Sequence, residues 1–405
     1  MALCGHAGVA PSTGPAPLAA RANALAVELG VRTGAGVRMP PGAALLGERA
    51  ALLGLGRRGR SSPGGSCRLL PTIEGFVALT LARPDDLTLL PAWLEREVDP
   101  GADAWDVVAR ALRARSSREW VNRGRLLGLP VAEAVVPSRA PEPGVRVHPI
   151  GVPRARALDR PLVVDLSSLW AGPLCTHLLG LGGARVLKVE STARPDGARR
   201  GPQAFFDLLN AGKASVALDF RSPRDRTRLA RLMERADVVV EASRPRALRQ
   251  LGIDAEAILA ERPGLVWASI TGYGRDLPGG DWTAFGDDAA VAAGLAMAAG
   301  TVDDPVFCAD AVADPLAGLY AALETWRALE RGGGCLLDVS MARVARDAFG
   351  DGPAPGARVL AEHDAWFVSC EGSREPVAAP RARRPAGRAH PLGADTEAVL
   401  RELRC

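Results

Sequence analysis

The side chain with the most consequential chemistry in this sequence is Asp314, in the run Ala-Val-Ala-Asp-Pro-Leu-Ala-Gly at residues 311–318. An ionised carboxylate can act as a nucleophile and form a covalent intermediate. Asp followed by Pro is also typical of a helix start, with Asp as the N-cap and Pro at the first helical position. The residues alone favour the cap, but the two roles are compatible because helix-start amides favour the ionised carboxylate.

A second acidic motif, Asp287-Asp288, follows Phe285-Gly286. Paired carboxylates serve in metal binding and in acid/base catalysis, although a turn or a helix cap is the favoured interpretation here. The five histidines are widely spaced, and the seven cysteines include no C-x-x-C pair. Neither set has the spacing of zinc ligands, so the sequence predicts no metal site.

The run Gly-Leu-Gly-Arg-Arg-Gly at residues 54–59 matches the G-x-G-x-x-G pattern of phosphate-binding loops. That function requires a strand before the motif and a helix after it. Here the preceding Ala/Leu segment has a helical pattern, and two arginines lie inside the run. We therefore interpret it as a flexible basic loop.

Composition narrows the class of protein. The chain has 405 residues, 47% of them hydrophobic, which is enough for a large core with a second, smaller unit. The formal net charge of +4 is small and argues against a dedicated nucleic-acid binder. A single polyanionic small molecule fits this charge better. Lys188 and Lys213 are the only lysines among many arginines. Chance and a functional requirement explain their presence equally well.

The cysteines also bear on the cellular compartment. An odd, scattered set of thiols is typical of a reducing cytosol rather than of a disulfide framework. No apolar run reaches the ~18 residues of a membrane span, and residues 1–17 lack the basic start and apolar middle of a signal peptide. We expect a cytoplasmic protein that does not bind a membrane.

Short strands rich in Val, Leu and Ile alternate with helices in the second half of the chain. The predicted strands are 162–166, 185–189, 215–218, 237–241, 265–270 and 335–339, and the predicted helices include 173–181, 223–235 and 254–261. This alternation predicts a doubly wound, mostly parallel α/β sheet. Ligands of such sheets bind beyond the carboxyl ends of the strands, where small, polar and arginine residues collect in this sequence.

We divide the chain into five parts. Residues 1–66 form a segment rich in Gly, Ala and Arg, with a helix near 18–29. Residues 67–136 are a small α+β domain with a strand at 76–79 and helices that begin after Asp103 and Ser116. Residues 137–160 are a proline-rich linker, and 161–345 are the ligand-binding sheet domain. Residues 346–405 are a C-terminal extension with little regular structure to about 392 and a final helix at 395–403.

Several runs of the sheet domain resemble one family. They lie at 162–173, 183–190, 209–219, 236–241 and 268–274. In this order and at these spacings they resemble the class III (CaiB/BaiF) coenzyme A (CoA) transferases. The resemblance implies a Rossmann-like large domain that binds CoA. It also implies an enzyme that moves CoA from an acyl-CoA to a carboxylic acid and holds no permanently bound cofactor.

The small domain also resembles this family, but its place in the chain differs. The segment 106–132 is similar to the small domain that normally follows the large one, and here it comes first. Residues 391–396 resemble the start of the family's final helix. The chain thus resembles a rearranged or condensed member. The family implies a homodimer, and the changed order puts its usual interlocked ring in doubt.

The resemblance assigns roles to individual residues. It places the nucleophile at Asp314 and the CoA-binding positions at Trp170, Ala171, Arg194, Asp219, Arg221, Ser243, Arg244, Arg249, Phe285 and Gly286. Arginine suits the CoA phosphates because of its bidentate geometry. Where the family often has arginines, this chain has Ser191 and Gln250, with Arg194 and Arg249 nearby. Each arginine is alternatively a solvated surface charge, and Trp170 is alternatively a core residue.

Two further functions belong to the comparison. The α-methylacyl-CoA racemases of this family need two opposed acid/base groups and have a histidine at the position of Phe285. A phenyl ring cannot transfer a proton, so a racemase is disfavoured. The rival from another class is a non-catalytic CoA-binding or subunit-like protein. The shifted arginines and the rearranged order favour it, and the retained Asp314 opposes it.

Overall fold

The computed structural model of the chain describes residues 2–14, 16–99, 101–138, 142–155, 157–352, 356–362, 365–370 and 373–405. The N-terminal segment (residues 1–66) contains helices α1 (Ala16–Arg32), α2 (Gly42–Leu45) and α3 (Glu48–Leu53). Leu18, Leu25 and Leu29 recur at helical spacing on one face of α1. They are buried in the same core as the helices of the main sheet, so this segment packs as part of the large unit.

The next unit is a three-stranded antiparallel sheet with four helices. Its elements are β1 (Cys67–Pro71), β2 (Phe76–Thr80), α4 (Pro84–Thr88), α5 (Leu90–Leu94), α6 (Ala104–Leu112), α7 (Ser117–Leu127) and β3 (Val131–Glu133), with sheet order β1-β2-β3. The predicted helix starts are confirmed. The Asp103 carboxylate accepts hydrogen bonds from two amides of α6, and Ser116 and Glu119 form a reciprocal capping box on α7.

The central sheet occupies the second half of the chain. Its successive elements are β4 (Val145–Pro149), β5 (Leu162–Asp165), α8 (Ala171–Leu181), β6 (Arg185–Ser191), α9 (Gln203–Asn210), β7 (Ala214–Leu218), α10 (Pro223–Arg235), β8 (Val238–Glu241), α11 (Pro245–Gln250), α12 (Ala255–Glu261), β9 (Val266–Thr271), α13 (Gly286–Ala292), α14 (Leu295–Ala299), α15 (Ala313–Glu330), β10 (Cys335–Ser340) and α16 (Met341–Phe349). The six strands from β5 to β10 pair in parallel. The predicted fold class, a mostly parallel α/β sheet with a smaller α+β unit, is confirmed.

The strand order is β4-β10-β9-β8-β5-β6-β7. From β5 the chain builds outward through β6 and β7, and then returns to the other side of β5 with β8, β9 and β10. The order therefore reverses between β5 and β8. The crevice outside the carboxyl ends of strands at such a reversal is where open α/β sheets bind their ligands.

One part of the predicted linker is a strand of the central sheet. Strand β4, inside residues 137–160, pairs antiparallel with β10 at the sheet edge. The linker interpretation is therefore wrong for Val145–Pro149. The run Val-Arg-Val-His-Pro alternates apolar and polar residues, and an edge strand tolerates the final proline because one side of its backbone has no partner strand.

The C-terminal part has more regular structure than the sequence predicts. A three-stranded antiparallel sheet consists of β11 (Arg358–Glu362), β12 (Ala365–Cys370) and β13 (Ser373–Pro376). The prediction of little regular structure between 346 and 392 is thus wrong. The final helix, α17 (Thr396–Leu403), is confirmed, and the Asp395 carboxylate anchors its start by accepting a hydrogen bond from the Ser215 amide of β7. Within the ranges described above, no helix has both the length and the apolar character of a membrane span.

Candidate active site

Asp314 lies in the first turn of α15, a largely buried helix that packs against α8. The two helices approach closely at Gly318, where an added Cβ would lie 2.8 Å from the Ala171 carbonyl oxygen. Helix α8 begins just beyond the carboxyl end of β5, so this contact brings the start of α15 to the same end of the sheet. Helix α15 begins at Ala313 with Val312 as its N-cap, so Asp314 is the second helical residue. The interpretation of Asp314 as N-cap is therefore wrong.

The loop before Asp314 has an unusual backbone. Ala309 and Ala311 have φ angles of 59° and 44°, a left-handed conformation that costs a residue with a Cβ about 1–3 kcal/mol. Two carboxylates hold the loop in this shape. Asp287 accepts a 2.8 Å hydrogen bond from the Ala311 amide. Asp310 accepts two from the Arg49 guanidinium, at 2.6 and 2.7 Å.

Gly286 fits against Asp314. A Cβ at residue 286 would lie 2.3 Å from Asp314 Oδ2 and 2.4 Å from the Ala311 carbonyl oxygen. The absence of a side chain lets the Asp314 carboxylate approach the backbone of Gly286, whose amide favours the ionised form of Asp314. Gly286 thus meets Asp314 in space.

The two acids that follow Gly286 make contacts that support the fold. Asp287 and Asp288 lie in the first turn of α13 and are buried. Asp288 accepts hydrogen bonds from the Phe285 amide and from the Thr80 hydroxyl, at 2.9 and 3.0 Å. The cap interpretation of this pair is confirmed for Asp288, which also ties the small unit to the central one. In the described part of the chain, no group of three or more His, Cys, Asp or Glu side chains is arranged to hold a metal ion.

The acids around Asp314 shift one another's protonation. Burial raises the pKa of Asp314 to about 7. Arg49 opposes this shift, Asp287 adds to it, and the Gly286 amide opposes it. Burial and the nearby Asp310 raise the pKa of Asp287 to about 6. We expected the helix start to keep Asp314 ionised, but burial outweighs the helix amides, so the carboxylate forms only near neutral pH.

Four arginines surround a second position at the same end of the sheet. Arg244 follows β8, is partly buried and has no hydrogen-bonded or ion-paired partner among the described residues. Burial lowers the pKa of Arg244, and Arg246, Arg83 and Arg194 lower it further by repulsion. We name Arg83, Arg194, Arg244 and Arg246 the arginine cluster. Asp281 opposes the shift of the Arg244 pKa, and Arg246 and Arg83 have acidic partners in Asp281 and Asp86. The excess positive charge therefore rests on Arg244 and Arg194, and such an excess favours an anion.

Comparison with known proteins identifies the central part of the chain. Residues 158–351 match the family described as CoA-transferase family III. The match covers just under half of the chain and includes the six parallel strands. The chain is similar to the succinyl-CoA–D-citramalate CoA-transferase of Chloroflexus aurantiacus, with 31% identity over 46% of this chain and 49% of the relative. It is also similar to the formyl-CoA:oxalate CoA-transferase of Rhodopseudomonas palustris, with 33% identity over 42% of this chain and 41% of the relative.

A solved structure of a hypothetical protein from Mycobacterium tuberculosis covers 54% of this chain and 65% of its own, with a TM-score of 0.48 and 27% identity. The chain spans about half the length of the curated relatives it matches. The family match covers strands β5 to β10 and the helices between them, including the loop of Asp314 and the position of Arg244.

The other CoA-binding positions expected of the family have varied surroundings. Trp170 is 4% exposed, packs edge-on against Phe205 at 5.3 Å and has the Arg49 guanidinium over its ring. Ala171 is buried beside it. Both are core residues of the described structure. Ser243, next to Arg244, donates its backbone amide to the Glu241 carboxylate at 2.7 Å.

Two predicted arginines do not join the cluster. Arg221 lies at the end of β7, exposed, and forms its ion pair with Asp219. Asp219 also accepts the Arg221 amide, so this pair forms a local turn. Arg249 lines a surface cleft of about 740 Å³ together with Arg246, and its nearest acid is Glu256 at 3.8 Å. The glycine-rich run at 54–59 is a loop between α3 and β1, preceded by a helix rather than a strand.

Sequence analysis missed Arg49, Asp310, Arg83 and Arg246. Arg49 and Arg83 lie far from the sheet domain in sequence and belong to no motif, so no local signal pointed to them. Arg246 and Asp310 could have been predicted from their positions in the sequence. The first is two residues after Arg244 at the same strand end, and the second is four residues before Asp314 on the loop that leads to its helix.

Proposed function

We propose that this protein is a CoA-transferase that moves CoA from an acyl-CoA to a carboxylic acid, with Asp314 as the covalent nucleophile. The observation that supports this most directly is the fit between Gly286 and Asp314. The carboxylate lies against backbone from which any side chain at residue 286 would exclude it, and the Gly286 amide favours its ionised form. The match of residues 158–351 to CoA-transferase family III supports the reaction class.

The proposed reaction proceeds by acyl exchange on one carboxylate. An Asp314 oxygen attacks the thioester carbon, the C–S bond breaks, and CoA leaves as a thiolate with the electron pair. The thiolate then attacks the Asp314 carbonyl carbon of this mixed anhydride, which releases the first carboxylate and leaves an aspartyl-CoA thioester. An incoming carboxylate repeats both steps in reverse order. It takes over the CoA and regenerates the Asp314 carboxylate.

The surroundings of Asp314 suit these steps. The Gly286 amide can stabilise negative charge on the Asp314 oxygens as tetrahedral intermediates form. The rigid loop at 309–311 fixes the position of the nucleophile relative to a bound thioester. A pKa of about 7 makes Asp314 a stronger nucleophile than an exposed aspartate while a large fraction remains ionised at neutral pH.

We propose that the arginine cluster binds the phosphates of CoA. Arg194 and Arg244 were expected to do so, and Arg83 and Arg246 add their charge. Trp170, Ala171 and Phe285 line the path between the cluster and Asp314 in this proposal. Asp219, Arg221, Ser243 and Arg249 keep the CoA-binding role that the family resemblance gives them. CoA is a substrate here, and we propose no permanently bound cofactor.

Assembly and location complete the proposal. We propose a homodimer in the cytoplasm, without nucleic-acid or membrane partners. The homodimer rests on the family, and the cytoplasm on seven free cysteines. Light scattering of the purified protein would test the first, because a mass of one 42.3 kDa chain in dilute and concentrated samples would contradict it.

The experiment that tests the function is trapping of the intermediate. Purified protein is incubated with a panel of acyl-CoAs and hydroxylamine, and modified peptides are mapped by mass spectrometry. We expect a hydroxamate on Asp314 and none on Asp314→Asn. Asp276→Asn, which alters an exposed carboxylate, is the matched control and should label like the parent. The productive acyl-CoA identifies the donor.

The alternative functions give different results. A non-catalytic CoA-binding protein would bind CoA in calorimetry with the same affinity in the parent and Asp314→Asn, and neither would be labelled. A racemase would exchange the α-proton of a 2-methylacyl-CoA with deuterated solvent. Phe285 opposes that outcome because its ring offers no group that can transfer a proton.

A further inference from the structure

Arg49 connects the N-terminal segment to the loop of Asp314. Its Nε and Nη2 atoms donate to the two oxygens of Asp310 at 2.7 and 2.6 Å, a bidentate pair. The Asp310 carboxylate is fully buried, whereas the Arg49 side chain is 27% exposed. The guanidinium also lies over the Trp170 ring, 5.2 Å from its centroid. One side chain thus contacts both the loop before α15 and the residue before α8.

The pair acts on a strained stretch of backbone. Asp310 lies between Ala309 and Ala311, both left-handed. Such a conformation persists only where its surroundings hold it. The glycine at residue 64 leaves room for this contact, since a Cβ there would lie 3.1 Å from Arg49 Nη2 and 3.6 Å from Asp310 Oδ1.

We propose that Arg49 is a positioning residue for Asp314. Through its pair with Asp310 it fixes the loop that leads to Asp314. Its guanidinium also supplies the positive charge that Asp287, Asp310 and Asp314 face. The N-terminal segment, whose role the sequence did not define, would thereby complete the nucleophile site. This inference rests on the proposed function for its importance to catalysis, but the geometry and charge can be tested without it.

The charges around Asp314 determine how its pKa should change when Arg49 or Asp310 is replaced. Helix α3 contributes Arg49, helix α13 contributes Asp287 and the Gly286 amide, and the loop contributes Asp310. Behind Asp287 lie Asp288 on the same helix and the neutral groups of Ser62 and Cys67, from the N-terminal segment and β1. Arg49 is the one cation that acts on Asp314 among these groups. Its removal should raise the pKa of Asp314, and removal of the Asp310 charge should lower it.

The test is a titration of Asp314 by ¹³C NMR in protein labelled at the aspartate carboxyl carbons. The Asp314 resonance is the one that Asp314→Asn lacks. We expect Arg49→Gln to raise the titration midpoint by about one pH unit and Asp310→Asn to lower it. Arg49→Lys keeps the charge but not the bidentate geometry, so its midpoint should stay near that of the parent. Arg38→Gln, an exposed arginine in the same segment, should change nothing.

The Asp314 midpoint should shift in opposite directions in Arg49→Gln and Asp310→Asn. General disruption of the fold would shift it in the same direction in both variants. An unchanged midpoint in Arg49→Gln would overturn the proposal, and so would an upward shift in Asp310→Asn if Arg49→Gln fails to fold. Hydroxylamine trapping in the same variants adds the catalytic readout. We expect slower labelling in Arg49→Gln and partial rescue in Arg49→Lys. Absence of any adduct in the parent would refute the transferase function, while the titration would still decide the role of Arg49.

Discussion

The backbone amide of Gly286 and the carboxylate of Asp314 are in direct contact because residue 286 has no side chain. A Cβ there would meet Asp314 Oδ2 at 2.3 Å and the Ala311 carbonyl at 2.4 Å. Both neighbours belong to a rigid stretch at the start of a buried helix, and neither can move away without displacing the loop.

Substitution of Gly286 by Ala should therefore displace the loop and the nucleophile and impair the reaction. Displacement of the nucleophile by about 1 Å can lower the rate about 100-fold, and we expect a loss of that order in kcat/KM. Steady-state kinetics with the acyl-CoA identified by trapping would measure it. Gly56→Ala, at a glycine with open space around its Cβ position, is the control and should retain the parent rate. Equal activity of the two variants would contradict the assigned contact.

The rate of covalent labelling should rise with pH through about 7. Only the ionised Asp314 is nucleophilic, and its pKa is raised to about 7 by burial. The rate should therefore be low at pH 5, half-maximal near pH 7 and constant above about pH 8. Initial labelling rates over this range, with hydrolysis in Asp314→Asn subtracted, would check it. A midpoint near 4 would mean that the carboxylate is not buried in the functional state.

Asp288 offers a prediction about stability. It is fully buried, its Oδ2 has no hydrogen-bond partner among the described residues, and burial raises its pKa to about 7. The folded chain thus retains a proton that the unfolded chain has lost above about pH 4, and this contribution to stability falls as pH rises towards 7. Asp288→Asn removes the titration. Relative to the parent it should become more stable between pH 5 and 8, by on the order of 2 kcal/mol at about 1.4 kcal/mol per pKa unit.

Urea unfolding of the parent and Asp288→Asn at pH 5 and pH 8 gives this difference directly. The exposed control Asp276→Asn should show the same stability difference at both pH values. A pH-independent difference for Asp288→Asn would show that its carboxyl group is already ionised in the folded chain at pH 5.

The sequence predicted the central sheet well because its signals are local. Each strand is a short run of Val, Leu and Ile between turn residues, so the predicted bounds fall within one or two residues of those observed. Helix α10 was predicted with its observed bounds, 223–235. Strand β4 was missed because prolines flank it, and its pairing with β10 depends on residues almost 190 positions away.

Only those site residues that the family motifs include or adjoin were predicted from the sequence. Asp314, Gly286 and Arg244 lie in runs with a family pattern. The partner of Asp310 is Arg49, 261 residues away in sequence, in a segment of biased composition where one arginine among many has no distinguishing neighbour. The upward shift of the Asp314 pKa was also missed. It arises from burial and from two further acids that only the folded chain brings together.

Arg244 should contribute to the binding of CoA rather than to the chemical step. It is partly buried and unpaired, and three other arginines repel it, so a bound phosphate would gain from its charge. We expect Arg244→Gln to raise KM for the acyl-CoA about tenfold with little change in kcat, and to weaken the dependence of KM on salt. Arg185→Gln, at the amino end of β6 and already paired with Glu402, is the control. An equal effect of both variants would show that the arginine cluster is not part of the CoA-binding site.

Lys213 should stabilise the fold through its pair with Asp165. Its ammonium donates to Asp165 at 3.0 Å and has three further acceptors, in Pro173, Thr176 and Asn210, within 3.0 Å. Both charges are buried. Burial would raise the pKa of Asp165, but Lys213 and Lys188, together with the hydroxyls of Ser167 and Thr176, outweigh it and lower that pKa to about 2. Burial in turn lowers the pKa of Lys213 to about 8 despite the pair. The lysines therefore persist in this arginine-rich chain at positions where a compact ammonium is enclosed by acceptors.

Lys213→Met would leave Asp165 buried and unpaired, which costs about 3–5 kcal/mol. Urea unfolding should show a loss of that size, and Lys213→Met combined with Asp165→Asn should recover part of it because the buried charge is gone. The exposed pair of Arg185 with Glu402 provides the comparison, since Glu402→Gln should leave the stability almost unchanged. A double variant less stable than Lys213→Met alone would show that Asp165 stabilises the fold through its other contacts, with Ser167 and Thr176, more than through the lysine.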